Sequence, residues 1–346
     1  MDPENGLTRT MSVALLMFNL NEPDGIVRNL RSMRGIGDEA VIVDSSPPVD
    51  HEHLVRLTSA YSAKVYHVLP LGFPEPLRPF GTSKVESDYA LILDADEEPS
   101  EGLKADLREL DSYDAYVLPR FEEQLRSYTF HLRLFRPSAV RYCKRSFDFP
   151  EVDGRIGYLD KSRHIIHHAN YGHYFDDKSR AERYFTIENV ERPFNRRYLQ
   201  EALTVRFGGR SVSIPSGHRL DKSPDTPLSG PTVRGAVEME FLRDLLLGKG
   251  LRASSFNRRY ALRKWRFLRE LPDSDRVFLW KIAEDVQHSG GLFAYLGIDN
   301  PAYVERLTAS FRWNLRGIDV YRNLLRYRYE HGRPADTVPS NRIDFC

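Results

Sequence analysis

Two aspartates separated by one residue give the clearest chemical signal in the sequence. Asp94 and Asp96 belong to the acidic run 94–98 (DADEE), which directly follows the apolar segment Tyr89–Leu93. In an extended chain, residues i and i+2 point to the same side, so both carboxylates are expected to face one point. Carboxylate oxygens suit Mg²⁺ or Mn²⁺, which share their coordination with the phosphates of a substrate. The pair therefore predicts a Mg²⁺ or Mn²⁺ site that also binds a phosphorylated ligand.

The surrounding sequence places the two aspartates at the end of a strand. Apolar runs alternate with helical patterns in the first third of the chain, an order typical of βαβ units. The predicted fold class is therefore α/β, with a mostly parallel sheet flanked by helices. The predicted strands are Ser12–Phe18, Glu39–Asp44, Ala63–Val68, Tyr89–Leu93, Ala115–Leu118, His131–Phe135 and His164–His168. The predicted helices are Pro23–Met33, His51–Ala60, one that ends at residues 84–87, and Glu101–Leu110, the last with Ser100 as its N-cap.

Polar residues follow three of these strands at corresponding points. Asn21 and Glu22 come after the first strand, Asp44 ends the second, and the Asp94–Asp96 pair follows the fourth. Ligands of open parallel sheets bind at the carboxyl ends of the strands. Each residue alone could be a cap or a turn former, but together they predict one ligand-binding edge.

The chain divides into four predicted segments. Residues 1–10 form a polar tail, and residues 11–205 form the α/β domain. Half of residues 206–231 are Gly, Pro or Ser, which is typical of a linker or a functional loop. Residues 232–346 form a predicted helical accessory region, with helices at Val233–Leu247, Phe256–Leu271, Arg276–His288, Pro301–Leu307 and Trp313–Tyr329.

Composition and charge restrict the partners and the location. Of the 346 residues 41% are hydrophobic, and the net charge of +1 does not favour nucleic acid as a partner. No apolar stretch approaches the roughly 18 residues of a membrane-spanning helix, and the N-terminus lacks the apolar core of a secretory signal. Two cysteines, one of them terminal, suit a reducing compartment. We therefore expect a cytoplasmic protein.

Three segments resemble the donor-binding part of family 2 glycosyltransferases, which have the GT-A fold. They are residues 13–33 (VALLMFNLNEPDGIVRNLRSM), 38–47 (DEAVIVDSSP) and 87–103 (SDYALILDADEEPSEGL). The branch that they resemble most is the soluble group related to lipopolysaccharide-core glucosyltransferases. The similarity continues through HLRLFRPSAVRY (131–142) and the segment 149–171, so it covers about residues 11–185.

The resemblance implies an inverting transfer from a nucleotide-diphosphate sugar, with UDP expected, to a glycan or lipid-linked acceptor. In the donor site it assigns nucleoside contact to Asp44, diphosphate contact to Arg78, and further donor contacts to Asn21, Glu22 and Asp94. It gives Asp94, Asp96 and His168 to the metal and diphosphate, and the role of general base to Glu151. Asp153 is the rival base. The chain departs from the family pattern at Pro150, where a histidine is usual, and at Arg78-Pro79, where the family has Arg-Asn.

Four histidines cluster at His164, His167, His168 and His173, but no accompanying cysteine or HExxH spacing predicts a zinc site there. The resemblance does not single out His164, His167 or His173, and a structural role is the simpler interpretation of these three histidines.

A basic segment near the C-terminus leaves a second class of function open. Residues 251–271 carry seven Lys or Arg against one Glu, with aromatic residues at helical spacing. Such a helix could lie on an anionic membrane or pack on the protein with its Arg stems covering apolar surface. The alternative to a transferase is thus a non-catalytic membrane- or nucleic-acid-binding protein on a degenerate GT-A scaffold. A sugar nucleotidyltransferase is disfavoured, because it would carry a Gly-rich basic loop where this chain has NLNEPDG (19–25).

Overall fold

The computed structural model describes residues 11–71, 74–110, 112–123, 126–142, 150–168, 204–207 and 210–213, together with 282, 285–286, 288–311, 313, 317–332 and 334. The chain separates into two compact units. Residues 1–143, 147–170 and 296–346 form the first, and residues 144–146 and 171–295 form the second.

Strands and helices alternate in the first part of the chain. The strands are β1 (Val13–Asn19), β2 (Glu39–Asp44), β3 (Lys64–His67), β4 (Tyr89–Leu93), β5 (Glu97–Pro99), β6 (Ala115–Glu122), β7 (Ser127–Phe135), β8 (Val140–Arg141), β9 (Glu151–Val152), β10 (Ile156–Tyr158), β11 (Ile165–His167), β12 (Thr204–Phe207) and β13 (Arg210–Ser213). The helices are α1 (Pro23–Ser32), α2 (Pro48–Thr58), α3 (Arg78–Thr82), α4 (Glu101–Asp106), α5 (Leu292–Leu296), α6 (Pro301–Ser310) and α7 (Gly317–His331).

The central sheet of the first unit is mostly parallel. Its order is β3-β2-β1-β4-β7-β6-β11-β5, with β10 beside β6. Strands β3, β2, β1 and β4 run parallel to one another, whereas β7 is antiparallel to both of its neighbours. The predicted α/β class, with a mostly parallel sheet and C-terminal helices, is confirmed.

Burial explains why β1 and β4 were recognisable in the sequence. Every residue of both strands is buried, as expected for strands covered by helices on both faces. Helix α1 begins with Pro23 in its first turn and buries Ile26, Val27 and Leu30 along one side. The resulting core fixes the register of the strands, and with it the position of every residue at their carboxyl ends.

Two predicted helices end earlier than their sequence patterns indicate. Ser100 caps α4 as predicted, because its Oγ accepts the Leu103 N–H at 3.3 Å. The helix nevertheless stops at Asp106 and continues as a 3₁₀ turn, Leu107–Glu109. Likewise α3 ends at Thr82, before the predicted helix end at residues 84–87.

The C-terminal helices α6 and α7 belong to the same unit as the parallel sheet. The Leu69 N–H after β3 donates to Thr308 Oγ1 of α6 at 3.2 Å, and Lys84 forms an ion pair with Glu305. Strands β12 and β13 form an antiparallel hairpin at the start of the predicted linker 206–231. The polar tail 1–10, the rest of that linker, the basic segment 251–271 and the predicted helix 233–247 lie outside the described residues. Within the part of the chain that is described, no helix is long and apolar enough to cross a membrane.

Candidate functional site

The carboxyl ends of β1 and β2 meet at a buried carboxylate. Asn19 pairs with Asp44 in the register of the two strands, and Asn19 Nδ2 donates to Asp44 Oδ1 at 2.9 Å. The same oxygen accepts the Ser46 hydroxyl at 2.6 Å and the Ser46 N–H at 3.1 Å. The other oxygen lies 2.7 Å from His51 Nδ1. Asp44 is fully buried and held from several directions, so its position is fixed.

Asn21 and Glu22 lie at the same edge, just after β1. Asn21 has a φ of 61°, in the left-handed region that asparagine tolerates, and its N–H donates to Ser46 Oγ at 2.9 Å. The Glu22 N–H donates to Asn19 Oδ1 at 3.1 Å, and Glu22 directly precedes α1. Both side chains are exposed, so the structure brings them to the predicted edge and leaves them facing solvent.

The acidic run does not continue β4 as an extended chain, and the expectation drawn from i and i+2 geometry is wrong. Residues 94–96 form a turn in which the Glu97 N–H donates to the Asp94 carbonyl at 3.0 Å. Helix α1 holds this turn through two side chains. Arg28 Nη2 donates to the Ala95 carbonyl at 2.7 Å, and Asn29 Nδ2 donates to the Asp94 carbonyl at 3.0 Å. These contacts over a long sequence separation determine where the two aspartates point.

Asp94 pairs with a buried arginine of β7. Arg133 Nη2 donates to Asp94 Oδ2 at 2.8 Å. Burial disfavours the charged carboxylate, but the Arg133 guanidinium outweighs it and holds the pKa of Asp94 well below its usual range. The Asp94 carboxylate is therefore ionised at neutral pH.

A network of ion pairs lies behind Asp94. Arg133 also donates to Glu97 at 2.9 Å, and Arg120 contacts the same Glu97 oxygen at 3.1 Å. Arg120 Nη2 lies 2.7 Å from Glu122 Oε1. Burial raises the pKa of Glu97, although Arg133 opposes that rise. None of these four residues has a role predicted from sequence, and the available signal was two arginines and one glutamate, Arg120, Arg133 and Glu122, placed within largely apolar strands.

The imidazole that faces Asp96 is that of His167. Its Nε2 lies 3.3 Å from Asp96 Oδ2, and its Nδ1 lies 2.6 Å from Glu122 Oε2. Burial alone would lower the pKa of His167. The contacts with Asp96 and Glu122 raise it by more, so that the pKa of His167 is about 9. His168 instead donates its backbone N–H to the Asp96 carbonyl at 2.9 Å, and its ring lies 2.9 Å from Glu123. Neighbouring side chains at a strand point to opposite faces, which accounts for the different positions of the two rings.

Arg78 lies near the acidic turn as the first residue of α3. Its positive charge contributes to the low pKa of Asp94, and its Nη2 lies 3.9 Å from Glu75. Two buried guanidinium nitrogens, Arg78 Nε and Arg133 Nη1, have no hydrogen-bond partner among the described residues. Unsatisfied buried donors of this kind suit an anionic ligand.

The two candidate bases lie on a separate pair of short strands. Strand β9 carries Glu151, which is exposed and opposite Arg141 of β8. Asp153 follows β9, and its carboxylate is 2.7 Å from Arg141 Nη2. Within the described residues, no hydrogen bond links either carboxylate to the turn at 94–96.

No protein-family model and no curated protein sequence matches the chain. Among solved structures, S. aureus TarS is similar at 14% identity with a TM-score of 0.38, over 75% of this chain and 55% of the TarS chain. The chain thus spans little more than half the length of that structure. TarS 1–349, alone and in complex with UDP, matches at 14% identity with a TM-score of 0.39, over 75% of this chain and 90% of that chain. Similarity at this level assigns neither a family nor an activity.

Proposed function

We propose that the chain is an inverting glycosyltransferase that transfers a sugar from a nucleotide-diphosphate donor, with UDP expected, to a glycan or lipid-linked acceptor. The observation that carries the proposal is the arrangement around the turn at 94–96. There the partly exposed Asp96 carboxylate lies beside the His167 imidazole, and the ionised Asp94 carboxylate pairs with the buried Arg133 guanidinium. The proposed GT-A fold and the kinship with lipopolysaccharide-core glucosyltransferases rest on the sequence resemblance.

The acidic turn offers carboxylates to a divalent metal ion, although Asp94, Asp96 and His167 do not bring one ligand atom each within 4.8 Å of one another in the described part of the chain. The Asp96 side chain is 40% exposed, and the Asp94 side chain is 31% exposed, so both carboxylates can be reached from solvent. Carboxylate oxygens suit Mg²⁺ and Mn²⁺, and an adjacent imidazole favours Mn²⁺ of the two. We assign Asp94, Asp96 and His167 to this ion, which requires the turn to rearrange so that their ligand atoms converge, with His167 replacing His168 because its ring faces Asp96. A metal-bound imidazole is neutral, so His167 must lose its proton when it acts as a ligand.

In the proposed mechanism, each part of the donor has its own residues. The resemblance gives the nucleoside to Asp44, whose buried carboxylate must exchange one of its contacts with Asn19, Ser46 or His51 to bind it, with Asn21 and Glu22 beside it at the edge. Arg78 and Arg133 direct guanidinium N–H groups toward the diphosphate and stabilise its negative charge. A divalent ion held by the residues of the turn would further neutralise the leaving diphosphate.

A carboxylate must also remove the proton of the acceptor hydroxyl. Glu151 is the proposed base and Asp153 the alternative. Asp153 is already paired with Arg141, which leaves Glu151 the less constrained of the two in this structure.

Binding of Mn²⁺, followed by electron paramagnetic resonance, tests the metal assignment. The Asp96→Asn variant is expected to weaken Mn²⁺ binding at least tenfold. The Glu101→Gln variant, which removes a 90% exposed carboxylate from α4, should leave it unchanged. Equal affinity in the wild type and Asp96→Asn, with both proteins folded, would overturn the metal site. Binding of anionic vesicles or nucleic acid without donor turnover would instead support the non-catalytic alternative through residues 251–271.

A further inference from the structure

Three other metal-binding side chains meet at the carboxyl ends of β2 and β3. Asp44 ends β2, His67 ends β3, and His51 lies in the first half of α2. One ligand atom from each of them lies within 4.8 Å of the other two. We propose that Asp44, His51 and His67 form a binding site for a transition metal ion such as Zn²⁺. The site shares no residue with the acidic turn, but it shares Asp44 with the proposed donor site, so a bound ion and the nucleoside would compete for that carboxylate.

The ligand atoms determine the class of ion. Imidazole nitrogens suit Zn²⁺, Ni²⁺, Co²⁺ and Cu²⁺, whereas Mg²⁺ and Ca²⁺ prefer a shell of oxygen atoms. Two histidines and one carboxylate are also a common protein contribution to four-coordinate zinc, with the fourth position left to water or a ligand. The His51 side chain is 19% exposed, so an ion has access from solvent.

Neighbouring groups already orient these side chains. Asn19 and Ser46 donate to Asp44 Oδ1, which leaves Oδ2 directed at His51 Nδ1 at 2.7 Å. The Nε2 of His67 lies 2.8 Å from the Ser46 carbonyl. Hydrogen bonds of this kind around a ligand fix its orientation and commonly support metal affinity.

Binding requires a small rearrangement of the rings. The His51 and His67 rings stack with centroids 3.9 Å apart and an angle of 6°, and His67 stacks on Trp313 at 3.9 Å. A metal ion lies in the plane of an imidazole that binds it, so the parallel rings must open. Ligand atoms around tetrahedral zinc are about 3.4 Å apart, given bonds of about 2.1 Å. The separations between ligand atoms, 4.8 Å at most, must therefore change by little more than about 1 Å.

Co²⁺ titration of the full chain tests the site without any donor. Saturating Mg²⁺ is added first, so that sites built from oxygen ligands are occupied. Visible absorption of Co²⁺ reports the imidazole-rich site, and quenching of Trp313 fluorescence reports its position. The His51→Gln and His67→Gln variants are expected to weaken Co²⁺ and Zn²⁺ binding by at least about 100-fold, the upper range seen for supporting residues alone.

The matched control is His53→Gln, because His53 is an exposed histidine of the same helix. It should bind Co²⁺ like the wild type, and Trp313→Phe should keep the absorption band while losing the quenching. Metal-dependent stabilisation against heat provides a second measurement, which wild type should show and His51→Gln should lack. The absence of saturable Co²⁺ binding, equal affinity in His51→Gln and His53→Gln, or dependence on His167 instead would overturn the proposal.

Discussion

The carbonyl oxygen of Ala95 lies so close to Gly25 that a Cβ added to Gly25 would stand 2.2 Å from it. Arg28 and Asn29, one turn further along α1, donate to the carbonyls of Ala95 and Asp94. Helix α1 is therefore the support on which the acidic turn rests. The glycine permits the approach, and the two side chains fix the turn once it is there.

Replacing Gly25 by alanine should displace the acidic turn. The new Cβ would overlap backbone atoms of Ala95, and a clash with backbone cannot be relieved by a side-chain rotation. Overpacking of this kind costs about 1–3 kcal/mol of unfolding free energy. We expect Gly25→Ala to lower stability by that amount and to weaken Mn²⁺ binding, as measured by denaturant unfolding and metal titration.

Gly37→Ala is the matched control for this prediction. Its added Cβ would have no neighbour closer than 3.7 Å, which is ordinary van der Waals contact. Its stability and Mn²⁺ affinity should stay near those of the wild type. A Gly25→Ala variant that behaved in the same way would show that α1 does not position the turn.

The carboxyl edge of the sheet could be predicted from the sequence, because β1 and β4 are apolar throughout and buried on both faces. Parallel strands in this order bring Asp44 and the acidic turn to one edge. The conformation of the turn could not be predicted in the same way. Its hydrogen-bond donors, Arg28 and Asn29, are more than 60 residues away in the chain.

The pairing inside the site was equally hidden from sequence reasoning. Arg133 meets Asp94 only because β7 pairs with β4, and His167 faces Asp96 only because of its register on β6 and β5. A shift of one residue in β11 would exchange the faces of His167 and His168. The local sequence pattern identifies the histidine cluster, but the register of β11 determines which imidazole ring faces Asp96.

Removing the guanidinium of Arg133 should be strongly destabilising. Arg133→Met would leave the fully buried Glu97 carboxylate and the partly buried Asp94 carboxylate without this partner. Breaking one side of a buried ion pair typically costs about 3–5 kcal/mol. Denaturant unfolding of this variant should show a loss in that range.

The Arg141–Asp153 pair offers the comparison, because both of its side chains are more than 70% exposed. Exposed pairs contribute about 0–1 kcal/mol, so Arg141→Met should change stability little. Similar losses in the two variants would contradict the structural importance assigned to the buried network.

The choice of catalytic base is tested by two conservative substitutions. Glu151→Gln should bind the donor normally and lose most of its transfer activity, because the amide cannot accept the acceptor's proton. Asp153→Asn should retain transfer activity if Glu151 is the base. Steady-state kinetics, with donor affinity measured separately, distinguish the two; the reverse pattern would move the role to Asp153.

His131 should make the protein less stable in mild acid. Burial, together with the charges of Arg120 and Arg133, lowers the pKa of His131 to about 3 in the folded protein. Below its ordinary pKa of about 6.5 the unfolded chain binds a proton that the folded chain does not, so stability falls as the pH drops toward 3. In this pH range His131 lowers the free energy of unfolding by up to about 1.4 kcal/mol for each pH unit of acidification.

The His131→Gln variant should therefore lose less unfolding free energy than the wild type between pH 7 and pH 5. Denaturant unfolding at the two pH values measures the difference, with His53→Gln as an exposed control. Equal losses of unfolding free energy between pH 7 and pH 5 in the wild type and in His131→Gln would show that His131 is not held neutral by its surroundings.

The most direct test of the central claim is a thermal-shift comparison of UDP-, GDP-, dTDP- and CMP-sugars, each with and without Mn²⁺. A ligand that binds only the folded state raises the melting temperature according to its concentration relative to Kd. The proposed function predicts a rise with one nucleotide family, expected to be UDP, that requires Mn²⁺ and disappears in Asp96→Asn. A folded protein whose melting temperature responds to none of these donors would contradict a nucleotide-sugar transferase.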